Sequence, residues 1–246
     1  MSLPDVVSRE QWLQARTQLL TREKEFTKQQ AALSADRRRL PMVKVDKEYV
    51  FTGPEGKVTL AELFGDKRQL IVQHVMFGPE YDAPCPGCSA AISELSPGVL
   101  EHLGSRETTF VLASRAPYDR IAAAASERGW FVPWYSSEGS DFNYDYRVTL
   151  DASRGQVEYN YRPEPGAVAD QPSAERPGYS CFLRDGDGAS DGASVFHTYS
   201  AYARGTEYVG NAYTFLDMTA LGRQEDWEEP NGRAASNRGG DPTFTS

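Results

Sequence analysis

Two cysteines lie between a predicted buried strand and a predicted helix, and this arrangement restricts the folds that the chain can adopt. The strand spans Gln69 to Gly78, the helix spans Ser89 to Leu103, and Cys85-Pro86-Gly87-Cys88 lies between them. Unpaired N–H groups and the helix dipole favour an anion at a helix start, so we expect a lowered pKa for the first thiol. A thiolate attacks disulfides and a nearby second thiol resolves the mixed disulfide. The pattern therefore favours dithiol–disulfide exchange.

Zinc sites and inert thiols also use closely spaced cysteines. A structural zinc site needs two further ligands, but the chain has no second Cys-x-x-Cys, and His74, His102 and His197 are scattered. The main interpretation of the sequence therefore includes no metal site. Two alternatives stay open: a dithiol that binds a soft ion such as Cu(I), and a family that kept the cysteines but lost the activity.

Length and composition predict one globular domain with extensions. The chain has 246 residues, of which 39% are hydrophobic and 25% are charged. Its beginning lacks a basic region followed by an apolar run, and no stretch reaches the length of a membrane span. We therefore expect a cytoplasmic protein with no membrane partner. Three cysteines are too few for a disulfide scaffold.

The charge of the chain argues against a nucleic-acid partner. Its formal net charge is -9, whereas phosphate binding needs clustered Lys and Arg. The one dense basic run, Arg37-Arg38-Arg39, ends a predicted helix, where cations suit the dipole. No organic cofactor is required by the predicted chemistry.

A long amphipathic helix is predicted from about Arg9 to Arg38. Ser8 and Gln11 resemble a capping box. Apolar residues then recur every seven positions, at Trp12, Leu19, Phe26 and Leu33. This stripe is expected to pack on the flank of its own domain or on the same helix of a second subunit, so a homodimer is an open alternative.

The rest of the chain alternates buried strands with helices, which is typical of an α/β layer architecture with a parallel sheet. Further predicted elements are a strand at Met42–Phe51 closed by a turn, a short helix at Leu60–Phe64, a strand at Thr108–Ser114, a helix at Tyr118–Arg128, a hairpin of Ser180–Arg184 with Val195–Tyr199 across Asp185–Gly188, and a helix at Tyr213–Gly222. Residues 1–40 form the predicted helical extension, 41–223 the domain, and 224–246 a polar tail. Within the domain, about 151–178 is a polar insertion that could hold a short strand at 157–161.

This order of elements resembles the thioredoxin fold, a central mixed sheet flanked by helices. The later motifs are similar to a bacterial thioredoxin-like family of unknown function, domain of unknown function 899, whose members are labelled predicted dithiol–disulfide oxidoreductases. The resemblance runs from about Ser8 to Arg223 and is carried by His74–Pro79, Ser114–Pro117, Gly139–Asp145, Phe182–Gly186 and Phe196–Gly205. It implies a redox enzyme but supplies no substrate.

The sequence departs from better-understood relatives at three positions. Thioredoxins carry Gly-Pro between the cysteines, whereas this chain carries Pro86-Gly87. Thioredoxins also place a cis-proline three residues before the position of Phe182, and this chain has Tyr179 there. Peroxiredoxins place a threonine three residues before the reactive cysteine, and Asp82 stands there in this chain, which makes peroxidase-like activity the lesser alternative. Arg115, at a strand end, could approach the thiol or form an ordinary ion pair.

The predicted function is thiol–disulfide exchange on a small-molecule or protein substrate, with Cys85 as the nucleophile and Cys88 as the resolving thiol. His74 is a candidate base, a candidate copper ligand or a core histidine, and Cys181 is expected to be a core residue. Aromatic residues near the site could line a small-molecule pocket, as in an enzyme that does not use the cysteines. Candidate pocket residues are Trp134, Asp141, Tyr179 and Tyr199.

Overall fold

The structure, a computed structural model, describes residues 3–155, 157–185, 194–209 and 211–221. The described residues divide into two units: residues up to Pro41 together with 216–221, and the segment from Met42 to Phe215. None of the helices in these ranges is long and apolar enough to span a membrane. The predicted tail lies outside the described residues, as does the predicted turn from residue 186 onward.

Helix α1 spans Arg9–Arg39, which confirms the helix predicted at about Arg9 to Arg38. Its capping box is present: the Ser8 hydroxyl accepts the Gln11 N–H at 3.2 Å, and the Gln11 side chain accepts the Ser8 N–H at 3.1 Å. Its basic last turn suits the helix dipole. The apolar side chains are exposed, with Trp12 at 48%. Homodimerisation through α1 stays a prediction.

The other helices are short, and most of them lie in connections between strands. They are α2 (Pro86–Ser93), α3 (Pro97–Gly104), α4 (Tyr118–Arg128), α5 (Phe142–Asp145) and α6 (Asn211–Leu216). Short 3₁₀ segments occur at Glu62–Phe64, Ala152–Arg154, Pro165–Val168 and Ala203–Val209.

Eight of the strands in the described residues form one mixed sheet in the order β1-β12-β11-β4-β5-β6-β2-β3. These strands are β1 (Val43–Lys44), β2 (Val50–Gly53), β3 (Gly56–Thr59), β4 (Gln69–His74), β5 (Thr108–Ser114), β6 (Trp134–Ser136), β11 (Gly178–Arg184) and β12 (Val195–Tyr202). Two smaller pairs join β7 (Thr149–Asp151) to β10 (Ser173–Glu175) and β8 (Glu158–Tyr159) to β9 (Arg162–Pro163).

The centre of the sheet has the strand order of the thioredoxin fold, β5-β4-β11-β12. Strands β4 and β5 are parallel and are joined through α2 and α3, whereas β11 is antiparallel to both β4 and β12. A β–helix–β connection between neighbouring parallel strands places its helices on one face of the sheet. The α/β thioredoxin-like fold predicted from the sequence is confirmed.

The two faces of the sheet carry separate apolar clusters. One contains Leu70 and Val72 of β4 with Phe142 and Phe182. The other contains Leu112 of β5, Cys88 and Ile92 of α2, and Trp134 of β6. Because side chains alternate along a strand, Leu70, Val72 and His74 point to the first cluster. We call the opposite side, with Leu112 and Trp134, the cysteine face.

Two of the sequence predictions on element bounds are wrong. The segment 89–103 is not one helix, because Ser96 caps a new helix by accepting the Val99 N–H and Pro97 occupies its first position. The predicted strand 42–51 is also interrupted: only β1 and the start of β2 are extended in it. The turn after it does close a hairpin, but with β3, which follows the turn.

The polar insertion is more ordered than predicted. Strand β10 pairs with β7, and β8 with β9 in place of the single strand predicted at 157–161. Tyr159 packs with Val148, Leu150 and Tyr202 in a third apolar cluster, and its hydroxyl donates to the Pro177 carbonyl at 2.7 Å. The insertion therefore packs against neighbouring segments through a small third core.

Candidate functional site: the dithiol at the start of helix α2

Cys85 is the N-cap residue of α2, and Pro86 is the first residue of the helix. Proline suits this position because its fixed φ fits the first turn and its missing N–H would have no helical partner. The Cys85 N–H donates to the Met76 carbonyl at 3.0 Å, and its carbonyl accepts the Ser89 N–H at 2.9 Å. The first thiol is therefore held at the helix start beside the segment that follows β4, as predicted from the sequence.

The two thiols differ in environment. Cys85 is partly exposed, whereas Cys88 is 6% exposed and lies in the apolar cluster of the cysteine face. A hydrogen bond to Cys85, followed by burial, raises the pKa of Cys88 well above its ordinary value. Both cysteines are free thiols in the structure. At neutral pH Cys88 thus keeps its proton and can donate it to the sulfur of Cys85.

Arg120 of α4 braces the loop that leads to the cysteines, and sequence reasoning missed this role. Its guanidinium donates to the carbonyls of Pro79, at 2.8 Å, and Tyr81. It also lies over the Phe77 ring, 5.1 Å from the centroid. Because carbonyl partners cannot be recognised in a sequence pattern, no signal could have identified this contact.

His74 lies on the face of the sheet opposite the cysteines. Its Nε2 is 2.8 Å from the Ser180 hydroxyl, and its ring packs 5.4 Å from that of Phe142. Burial lowers the pKa of His74 to about 3, so the imidazole is neutral. The expectation of a base or copper ligand beside the thiols is therefore wrong, and His74 is a core histidine. No group of three His, Cys, Asp or Glu side chains suited to a metal ion occurs in the part of the chain that the structure describes.

Arg115 forms an ion pair, one of the two roles considered for it. Its guanidinium lies 2.8 Å from Glu175 Oε1, and Glu175 also accepts the Thr149 hydroxyl. The Arg115 guanidinium lies 4.8 Å from the Tyr144 ring centroid. Burial raises the pKa of Glu175, and the charge of Arg115 opposes that rise. The Glu175 N–H in turn donates to Tyr81 in the loop before the cysteines, at 3.3 Å.

Trp134 and Asp141 have separate surroundings. Trp134 is buried in the cluster of the cysteine face, and its Nε1 donates to the Ser114 hydroxyl at 3.0 Å. Asp141 binds Lys47 and Arg154, each at 2.7 Å, and these hydrogen bonds lower the pKa of Asp141 to about 2. Asp141 lines a polar cavity of about 210 Å³ with Tyr144, and no cysteine lines it.

Tyr179 and the third cysteine lie on the cysteine face of β11. Tyr179 is cross-strand from Gln73, and Cys181 is cross-strand from Tyr199. Burial, with the nearby Cys88 and Glu94 groups, raises the pKa of Tyr179, so its phenol stays protonated. Burial raises the pKa of Cys181 to about 11. The predicted site residues that lie on this face are thus the dithiol, Trp134, Tyr179 and Tyr199.

Two buried polar residues on the cysteine face escaped sequence reasoning. Gln73 is 4% exposed and Ser89 is 2% exposed, and neither Gln73 Oε1 nor Ser89 Oγ has a hydrogen-bond partner among the described residues. A signal existed for Gln73, because a polar residue interrupts an otherwise apolar buried strand.

The sequence pattern of DUF899, described as bacterial protein of unknown function, matches residues 1–238. The chain belongs to this family. The resemblance inferred from its motifs is confirmed. No curated protein matches this DUF899 chain.

Several solved structures are similar in fold to this DUF899 protein. Peroxiredoxin Q of Xanthomonas campestris is 10% identical, with a TM-score of 0.45 over 70% of this chain and 90% of its own. Peroxidoxin BcpB of Mycobacterium tuberculosis is 11% identical, with a TM-score of 0.43 over 69% and 92%. A mutant of Xylella fastidiosa PrxQ is 12% identical, with a TM-score of 0.42 over 68% and 88%.

Proposed function

We propose that this DUF899 protein is a thiol–disulfide oxidoreductase, with Cys85 as the nucleophile and Cys88 as the resolving thiol. The observation that carries the proposal is the asymmetry of the pair: Cys85 is partly exposed at a helix N-terminus, and Cys88 is buried beneath it and hydrogen-bonded to it. A helix N-terminus and a neighbouring S–H donor both favour the thiolate form of a sulfur.

The reaction transfers two electrons. The Cys85 thiolate attacks a substrate disulfide, and one substrate sulfur leaves as a thiolate while a mixed disulfide forms. Cys88 then loses its proton and attacks Cys85, so that the Cys85–Cys88 disulfide forms and the second substrate thiolate leaves. The substrate is reduced, the dithiol is oxidised, and an external thiol reductant restores the enzyme. The substrate class is a disulfide of a small molecule or protein, and the proposed location is the cytoplasm.

The structure favours exchange over the Cu(I) alternative. His74, the residue considered as a ligand beside the dithiol, points to the other face of the sheet and is hydrogen-bonded to Ser180. For peroxide reduction, Arg115 was the candidate partner of the thiol, and its guanidinium is paired with Glu175. Both alternatives therefore lose the residue that supported them.

Trapping the mixed disulfide tests the proposal. Purified Cys88→Ser, mixed with glutathione disulfide, should keep one glutathione on Cys85, because the resolving thiol is missing. Wild-type protein should instead form the Cys85–Cys88 disulfide, and Cys85→Ser should form neither product. Cys181→Ser is the matched control and should behave as the wild type. Mass spectrometry after alkylation reads out all four proteins, and a stable adduct on Cys88 in Cys85→Ser would reverse the roles.

A further inference from the structure

Gln73 lies on the face of β4 opposite Leu70, Val72 and His74, and Ser89 is one of the buried residues of α2. Gln73 on β4 has Tyr179 of β11 on one side and Leu112 of β5 on the other in the strand register. Cross-strand neighbours share a face of a sheet, so these side chains form one row beneath α2. Leu112 belongs to the same apolar cluster as Cys88, so the row lies on the side of the sheet that carries the buried thiol.

Helix α2 carries Ser89 next to the resolving cysteine. The buried residues of α2 are Cys88, Ser89 and Ile92, and both Cys88 and Ile92 pack in the cluster of the cysteine face. Residue 89 follows the resolving cysteine directly and lies one helical turn after Cys85. The hydroxyl of Ser89 is therefore buried next to the dithiol.

Gln73 and Ser89 share a second feature, a buried polar atom that lacks a partner. Gln73 Oε1 and Ser89 Oγ are buried and make no hydrogen bond within the described part of the chain. Buried polar groups of native proteins are nearly always satisfied, and an internal water that bridges two to four of them is the usual partner when protein groups are lacking. Tyr179, cross-strand from Gln73, carries a phenol that can donate or accept a hydrogen bond.

The resolving step needs a proton acceptor at this place. Cys88 holds its proton at neutral pH, as described above, yet only the thiolate can attack Cys85. The titratable groups around it are Cys85 on its own helix, Tyr179 on β11, whose phenol stays protonated, and Glu94 near that phenol. His74 faces the other way. A glutamine amide is not a base, but its oxygen can orient a water.

We propose that Gln73 and Ser89 bind one internal water beneath the dithiol, and that this water takes the proton of Cys88 during resolution of the mixed disulfide. The water accepts the Cys88 proton and passes it to solvent. The Cys88 thiolate then attacks Cys85 Sγ, the Cys85–substrate S–S bond breaks, and its electron pair leaves on the substrate sulfur. Gln73 and Ser89 are positioning residues, since they act through the water. The inference rests on the proposed function.

Rapid mixing of the reduced protein with equimolar 5,5′-dithiobis(2-nitrobenzoate) separates the two steps. Each step releases one coloured thiolate: the first reports the attack by Cys85, and the second reports resolution by Cys88. Gln73→Leu and Ser89→Ala should slow the second phase by roughly tenfold or more, at the low end of proton-transfer catalysis, and leave the first unchanged. Gln73→Glu introduces a carboxylate, so the rate of the second phase should begin to rise at a lower pH than in the wild type.

Matched controls lie on the same two elements. Gln69→Leu, on the same side of β4, and Ser93→Ala, at the end of α2, should leave both phases at wild-type rates, because their side chains bond to Thr108 and Trp130 instead. A wild-type second phase in both test variants would overturn the inference while the proposed function stands. Absence of the first phase in wild type would refute the proposed function itself.

A crystal structure of the reduced wild-type protein gives a readout that does not depend on turnover. Density for a water within hydrogen-bond distance of both Gln73 Oε1 and Ser89 Oγ is expected. A well-ordered site without such a water would overturn the inference, whatever the kinetics of the variants.

Discussion

The buried thiol of Cys88 is hydrogen-bonded to the partly exposed Cys85 at the N-terminus of α2. This relationship assigns different chemistry to two identical side chains. The hydrogen bond and burial keep Cys88 protonated, and the proton is shared toward the sulfur that meets the substrate. The order of attack and resolution follows from this asymmetry.

His74 predicts a loss of stability in acid. Its pKa falls from an ordinary value of 6.5 to about 3 on folding because the imidazole is buried. Below pH 6.5 the unfolded chain binds a proton that the native state does not, so the free energy of unfolding falls as pH falls toward 3. The loss should approach about 1.4 kcal/mol per pH unit. Urea denaturation between pH 7 and pH 4 should show a steeper loss in wild type than in His74→Asn; equal slopes would contradict a buried neutral histidine.

Arg120 should stabilise the loop before the cysteines. Arg120→Ala removes the hydrogen bonds to the Pro79 and Tyr81 carbonyls and should lower the free energy of unfolding by about 2 kcal/mol. Arg128→Ala is the control on the same helix, and its effect should stay within about 0.5 kcal/mol because Arg128 is exposed. Chemical denaturation of both variants measures the difference. Equal effects would show that Arg120 does not brace the loop.

Glu175 should matter more for stability than other ion-paired carboxylates of the chain. Glu175→Leu leaves the mostly buried Arg115 without its partner and should cost about 3 kcal/mol of unfolding free energy. Glu164→Leu breaks the more exposed pair with Arg176 and should cost less than about 1 kcal/mol. Denaturant titrations at pH 7 compare the two. A larger cost for the Glu164 variant would refute this ranking.

The local features of the fold could be predicted from the sequence. The capping box at Ser8, the buried strand Thr108–Ser114 and the helix Tyr118–Arg128 all have the predicted bounds or nearly so. The prediction failed at Pro97, where apolar residues continue past a proline that begins a second helix. The apolar periodicity continues across this break and therefore does not reveal it. The Ser96 cap is the local signal that marks the start of the second helix.

The site was predicted only in its local part. Adjacent positions in the chain fix the dithiol at the start of α2, so the sequence sufficed for Cys85 and Cys88. The face of the sheet that His74 occupies depends on the register of β4, because a shift of one residue moves every side chain to the other face. The alternation of residues along the strand does not indicate which face carries α2. The pairing of Arg115 with Glu175 joins residues 60 positions apart through the insertion, and no local pattern encodes it.

The redox potential of the Cys85/Cys88 pair decides whether the two thiols work as a reversible redox couple. The protein is equilibrated in glutathione or dithiothreitol buffers of graded potential, and free thiols are counted by mass spectrometry after alkylation. A reversible two-electron transition within roughly -270 to -120 mV, the span of known exchange proteins, is the predicted result. If Cys85 and Cys88 never form a disulfide at any potential, this DUF899 protein is not a dithiol–disulfide oxidoreductase.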